Sequence, residues 1–96
     1  SVPNRNRAHH RALDAWRQGL SMCAIAKQAD IALLTVAGYV ARALSELPQV
    51  SEAERQRLRK EFSHIAVRPV AIRYGLLLAR LGIFRFAEVR RWIARP

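Results

Sequence analysis

Apolar residues recur at intervals of three and four along most of the chain and alternate nowhere over the length of a strand, so the pattern predicts helices throughout. Six segments emerge. The first runs from about Arg5 to Gln18, with Ala8, Ala12, Ala15 and Trp16 on one face, and Gly19 is placed to leave it in a left-handed conformation. Ser21 caps a short second helix reaching about Ala29, whose inward stripe is Met22, Ile25, Ala26 and Ala29. The third, from about Leu33 to Leu47, buries Val36, Tyr39, Val40, Ala43, Leu44 and Leu47 before Pro48 stops it.

The second half is equally periodic. Ser51 stands three residues before Glu54, an arrangement in which each side chain satisfies a free backbone N–H at a helix start. Leu58, Phe62, Ile65 and Ala66 form the inner face of this fourth helix, and Arg55, Arg57, Arg59 and Lys60 cover the remainder. Pro69 fits the first turn of a fifth helix, with Val70, Tyr74, Leu77, Leu78 and Leu81 inward and Gly82 at its end. The sixth, about Phe86 to Ala94, is expected to bury Phe86, Val89, Trp92 and Ile93 and to leave Arg90, Arg91 and Arg95 outside. The expected fold is therefore all-α: a single domain, 1–96, in which an N-terminal helix-turn-helix half, 1–48, packs against a basic three-helix half, 49–96. The stretch "LPQV" at 47–50 is the candidate hinge, and neither half alone promises much core.

The spacing of the second and third segments points to function. A helix-turn-helix needs a small residue where its helices cross, a turn residue tolerant of left-handed geometry, and apolar anchors for its second helix. Ala26, Asp30, Val36 and Tyr39 fill these roles, with Ile31 expected to pack beneath the turn. The groove-facing positions would then be Ala32, Leu33, Leu34, Thr35, Ala37, Gly38 and Ala41, with Arg42 one turn farther along. Direct base readout requires bidentate donors and acceptors, and only Thr35 and Arg42 in this set are polar. Three readings stay open. Flanking cations grip phosphates with little regard to sequence; or Leu33 and Leu34 form an apolar knuckle for a protein partner or a second copy; or both leucines belong to the core. A sequence-specific regulator would need its readout from elsewhere, such as the N-terminal arm "RNRAHHR".

Charge sharpens the choice. Seventeen Lys plus Arg oppose seven Asp plus Glu for a net +10, and fifteen of the basic residues are Arg, whose planar guanidinium holds phosphate with two hydrogen bonds. The excess is uneven, +3 over residues 1–48 and +7 over residues 49–96. DNA is the expected partner, with RNA the variant reading; an anionic membrane surface or an acidic protein would answer to the same charge. The candidate contacts are Arg5, Arg7 and Arg11 in the arm, Lys27, Leu33, Leu34, Thr35, Gly38 and Arg42 around the helix-turn-helix, and Arg73, Arg80, Arg91 and Arg95 in the second half. Arg73 and Arg80 share a helix face, as do Arg91 and Arg95. Arg55 is expected to engage Glu52, and Arg57 either Glu54 or Glu61.

Other chemistry is sparse. Cys23 is the sole cysteine, which rules out an internal disulfide and a cysteine cage for zinc; its short apolar helix suggests a buried, inert thiol. His9 and His10 are adjacent and expected to point apart, so neither a metal nor any cofactor is called for, and no phosphate loop or nucleophile motif indicates an enzyme. No run of about eighteen apolar residues is present to span a membrane. A cytoplasmic location is expected, at the nucleoid, or nuclear if the source is eukaryotic. The start at Ser1 rather than Met suggests a piece of a longer polypeptide or a cleaved tag.

Finally, "WRQGLSMCAIAKQADIALLTVAGYVARAL" resembles the helix-turn-helix domain near the C terminus of RecQ-type and Werner-type DNA helicases, with Ile25 and Ala26 matching its first helix and Thr35 and Val36 its second. "VRPVAIRYG" and "FRFAEVRRWIA" look like that domain's closing helices. The resemblance implies an accessory module attached to a motor. No helicase motif is present, so this chain alone would not hydrolyse ATP.

Overall fold

The computed structural model describes residues 7–94, and among them six α-helices and no strand. These are α1 (Ala8–Arg17), α2 (Met22–Ala29), α3 (Leu33–Ser45), α4 (Glu52–His64), α5 (Val67–Arg80) and α6 (Phe86–Ala94). The all-α class is as expected. The chain divides into two compact units, Ser1–Glu46 and Leu47–Pro96, parted at the start of "LPQV".

In the first unit α3 packs against both α1 and α2. That double contact explains a wide buried arc on α3: Val36, Ala37, Val40, Ala41, Ala43 and Leu44 are all inside, together with Trp16 and Met22 from the other two helices. Ala37 and Ala41 thus cannot face a groove, contrary to the sequence reading; they are the small residues that let neighbouring helices approach. α1 and α2 both end in the same way. Gly19 at φ 111° and Asp30 at φ 54° are left-handed, and the next residue donates five positions back, Leu20 N–H to Ala15 O and Ile31 N–H to Ala26 O. Ser21 Oγ accepts from Ala24 N–H at the start of α2.

Three expectations fail here, the first being Ala29, expected on the inward stripe of α2 but exposed. Cys23 is exposed, because Met22, Ile25 and Ala26 take the inner side of a helix only eight residues long. Ile31 is anchored by its backbone, and its side chain is exposed at the rim of the turn instead of lying beneath it.

The second unit builds around Leu58, Phe62, Val70, Leu78, Phe84 and Val89. Phe84 links an aromatic chain, 6.4 Å from Phe62 and 5.0 Å edge-on to Trp92. Gly75 lets α5 and α6 approach closely, since a Cβ there would come within 2.4 Å of Val89 Cγ1. Val89 and half-buried Trp92 set the inner side of α6. Phe86 and Ile93 lie about a quarter turn from it and are exposed, correcting the expected core. Ser51 Oγ accepts from Glu54 N–H at the start of α4, as the capping pattern requires. No single helix among the described residues is long and apolar enough to cross a membrane.

Candidate nucleic-acid interface

Within the first unit, α2 and α3 are bent by 114° across the three residues Asp30, Ile31 and Ala32. Opposite its buried arc, α3 presents Thr35, Gly38 and Arg42, spaced three and four apart, with Thr35 and Arg42 exposed and Gly38 half-buried. Leu33 and Leu34 at the start of α3 are half-buried, intermediate between a free apolar knuckle and a core pair. Lys27 on α2, Arg11 on α1 and Arg7 at the α1 N-cap are exposed. Arg5 and Arg95 lie outside the described residues.

In the second unit Arg73 and Arg80 are exposed on the outer face of α5, as expected, but share it with exposed Ile72 and Leu76. Arg91 is exposed and lines an open cleft of about 610 Å³ together with Arg59, Phe84, Arg85 and Glu88. The cleft is less basic than its arginines suggest. Arg59 donates from two nitrogens to Glu88, at 3.0 and 2.7 Å, and to Ile83 O at 3.2 Å, while its guanidinium lies 5.4 Å from the Phe84 ring centre. These hydrogen bonds from Arg59 hold the Glu88 carboxyl down at about 2; partial burial opposes the effect and the Arg85 N–H assists it. Glu88 also accepts from Arg85 N–H at 3.0 Å, capping α6.

Ion pairs occupy other cations as well. Arg55 pairs with Glu52 and donates to Val50 O at 2.8 Å, and Arg57 pairs with Glu61 at 3.3 Å. Among the described residues Arg42, Arg73, Arg80 and Arg91 make no such pair, which leaves their charge to solvent or ligand.

The sequence reading missed two features. Glu88 was unremarkable there because its α6 cap begins with Arg85 in place of Ser or Thr and its partner Arg59 is 29 residues away. The histidine pair was misjudged outright: His9 and His10 do not point apart but tilt together, ring centres 4.0 Å apart, and both Nε2 atoms reach Glu46. Adjacent Cβ atoms do diverge on a helix, yet an imidazole is long enough to swing back toward a shared acceptor. Comparison with protein-family models, with curated proteins and with solved structures gave no match.

Proposed function

We propose that this chain is a DNA-binding helix-turn-helix module of low sequence specificity, an accessory part of a larger nucleic-acid-processing protein. The observation that carries the reading is the outer face of α3, which stands clear of the core on a bent helix pair and offers one long cation, Arg42, beside Thr35 and Gly38. The 114° bend lies within the range of about 90–120° usual for such pairs. Small side chains let the helix approach a duplex closely, Arg42 and Lys27 grip phosphates, and nothing on that face discriminates bases. Arg73, Arg80 and Arg91 add phosphate contacts from the second unit, and the likeness to RecQ-type helicases supplies the context of a module working beside a motor.

The test is binding of the full chain to several unrelated duplexes and single strands at two salt concentrations. Comparable and strongly salt-weakened affinities support the proposal. Absence of binding at low salt defeats it, and one strongly preferred duplex would make the chain a regulator.

A protein-interaction module is the second reading, and a different surface from the expected one favours it. Ile72 and Leu76 are 58% and 70% exposed on the outer face of α5, whereas Leu33 and Leu34 are half-covered. On this reading Leu76→Lys abolishes self-association or partner capture and leaves nucleic-acid affinity unreduced.

A further inference from the structure

Chemistry that nucleic-acid binding does not use gathers at one end of the first unit. His9 and His10 lie in the first turn of α1, and Glu46 follows the last residue of α3. His9 Nε2 donates to one carboxylate oxygen at 3.1 Å and His10 Nε2 to the other at 2.5 Å. One ligand atom from each of the three residues lies within 4.8 Å of the other two. His9 is buried, its side chain 4% exposed, so one nitrogen is held in place by packing; His10 and Glu46 are more accessible, at 24% and 48%.

Each Nε2 proton lies along the direction a nitrogen lone pair would take toward a metal. With each neutral imidazole carrying its proton on Nδ1 instead, both Nε2 lone pairs would face the Glu46 carboxylate, one toward each oxygen. Tetrahedral zinc, with bonds of roughly 2.0–2.2 Å, spaces its ligand atoms by roughly 3.3 Å. The two nitrogen–oxygen separations, 3.1 and 2.5 Å to different oxygens of Glu46, fall below that figure, and with the three ligand atoms within 4.8 Å of one another the site needs a shift on the order of 1 Å. Glu46, half-exposed at the end of its helix, is the group free to make it.

We propose that His9, His10 and Glu46 form a binding site for a divalent transition metal of the zinc class, with one coordination position left for water. Two imidazoles and one carboxylate suit zinc, cobalt or nickel and disfavour calcium and magnesium, which require a shell of oxygens. The bound ion would tie the start of α1 to the end of α3 and so brace the first unit from its open end.

The experiment is titration of the metal-free full chain with zinc chloride alone, followed by calorimetry, and with cobalt chloride, followed by absorption. One zinc per chain is expected. The cobalt complex should show d–d bands without a thiolate charge-transfer band. His10→Ala and Glu46→Ala should each weaken binding at least tenfold and keep the helical circular-dichroism signal, and Cys23→Ser should leave binding unchanged. Because His9 is buried, these two accessible positions decide the matter even if His9→Ala fails to fold. Absence of saturable binding, undiminished binding by both variants, or a thiolate band lost in Cys23→Ser overturns the site and leaves a hydrogen-bonded clamp alone.

Discussion

Asp30 shows how much one backbone position demands. It is the only non-glycine residue at positive φ among the described residues, at φ 54° and ψ 49°, and it ends α2 so that α3 can turn away. A β-branched side chain there clashes with its own carbonyl, so Asp30→Val should cost about 1–2 kcal/mol, whereas Asp30→Gly should gain up to about 1 kcal/mol; chemical denaturation of the two variants measures both. Gly75 is constrained by space instead. With Val89 Cγ1 only 2.4 Å from a would-be Cβ, Gly75→Ala should cost about 1–3 kcal/mol, and adding Val89→Ala should recover part of that loss. A double-mutant cycle showing no coupling would mean that α5 and α6 do not meet there. Asp30 was recognisable as a turn residue from spacing alone, whereas the role of Gly75 depends on a neighbour fourteen residues away.

At the scale of elements, α6 is a nine-residue helix that would be marginal in isolation. Glu88 secures it at two points, accepting from Arg85 N–H at its start and holding Arg59 of α4. Its carboxyl titrates at about 2 in the folded chain against an ordinary 4.5, so folding favours the charged form. The resulting stabilisation is complete above about pH 5 and is lost as pH falls through 4.5 toward 2, where the unfolded chain takes up the proton first. Allowing for the half-exposed Arg59, Glu88→Gln should cost about 2 kcal/mol at neutral pH. The gap between variant and parent should close near pH 2, as denaturation across that range would reveal. Periodicity marked out all six helices because each needs one inward stripe. It misjudged which residues of α6 go inward, because Val89 seats on Gly75 and Trp92 on Phe84, and that seating sets the rotation of the helix.

For the whole molecule the governing quantity is a net charge of +10, of which arginine supplies most. If phosphates are the ligand, the logarithm of affinity should fall linearly with the logarithm of salt concentration, by about 0.9 per phosphate neutralised on a duplex. Arg42→Ala, Arg73→Ala and Arg80→Ala should each lower that slope by roughly one and weaken all sequences alike. Arg59→Ala should leave the slope nearly unchanged, because its guanidinium is already spent on Glu88. A slope insensitive to all four would show the charge to be compositional.

Helix number, most helix ends and the left-handed turn at Asp30 were determined by the sequence, because they follow from interactions within a few residues: a side chain capping its own helix, a stripe repeating each turn, a backbone angle that few residues tolerate. So were the charge and the scarcity of base-reading groups on α3. Tertiary structure alone decided that Arg59 is spent on Glu88, that Ala37 and Ala41 are packing surfaces, that Ile72 and Leu76 face solvent, and that two histidines meet a glutamate 36 and 37 residues away. Each of these depends on how one helix is rotated against another. That rotation is fixed by the fit of whole faces, and no local spacing encodes it.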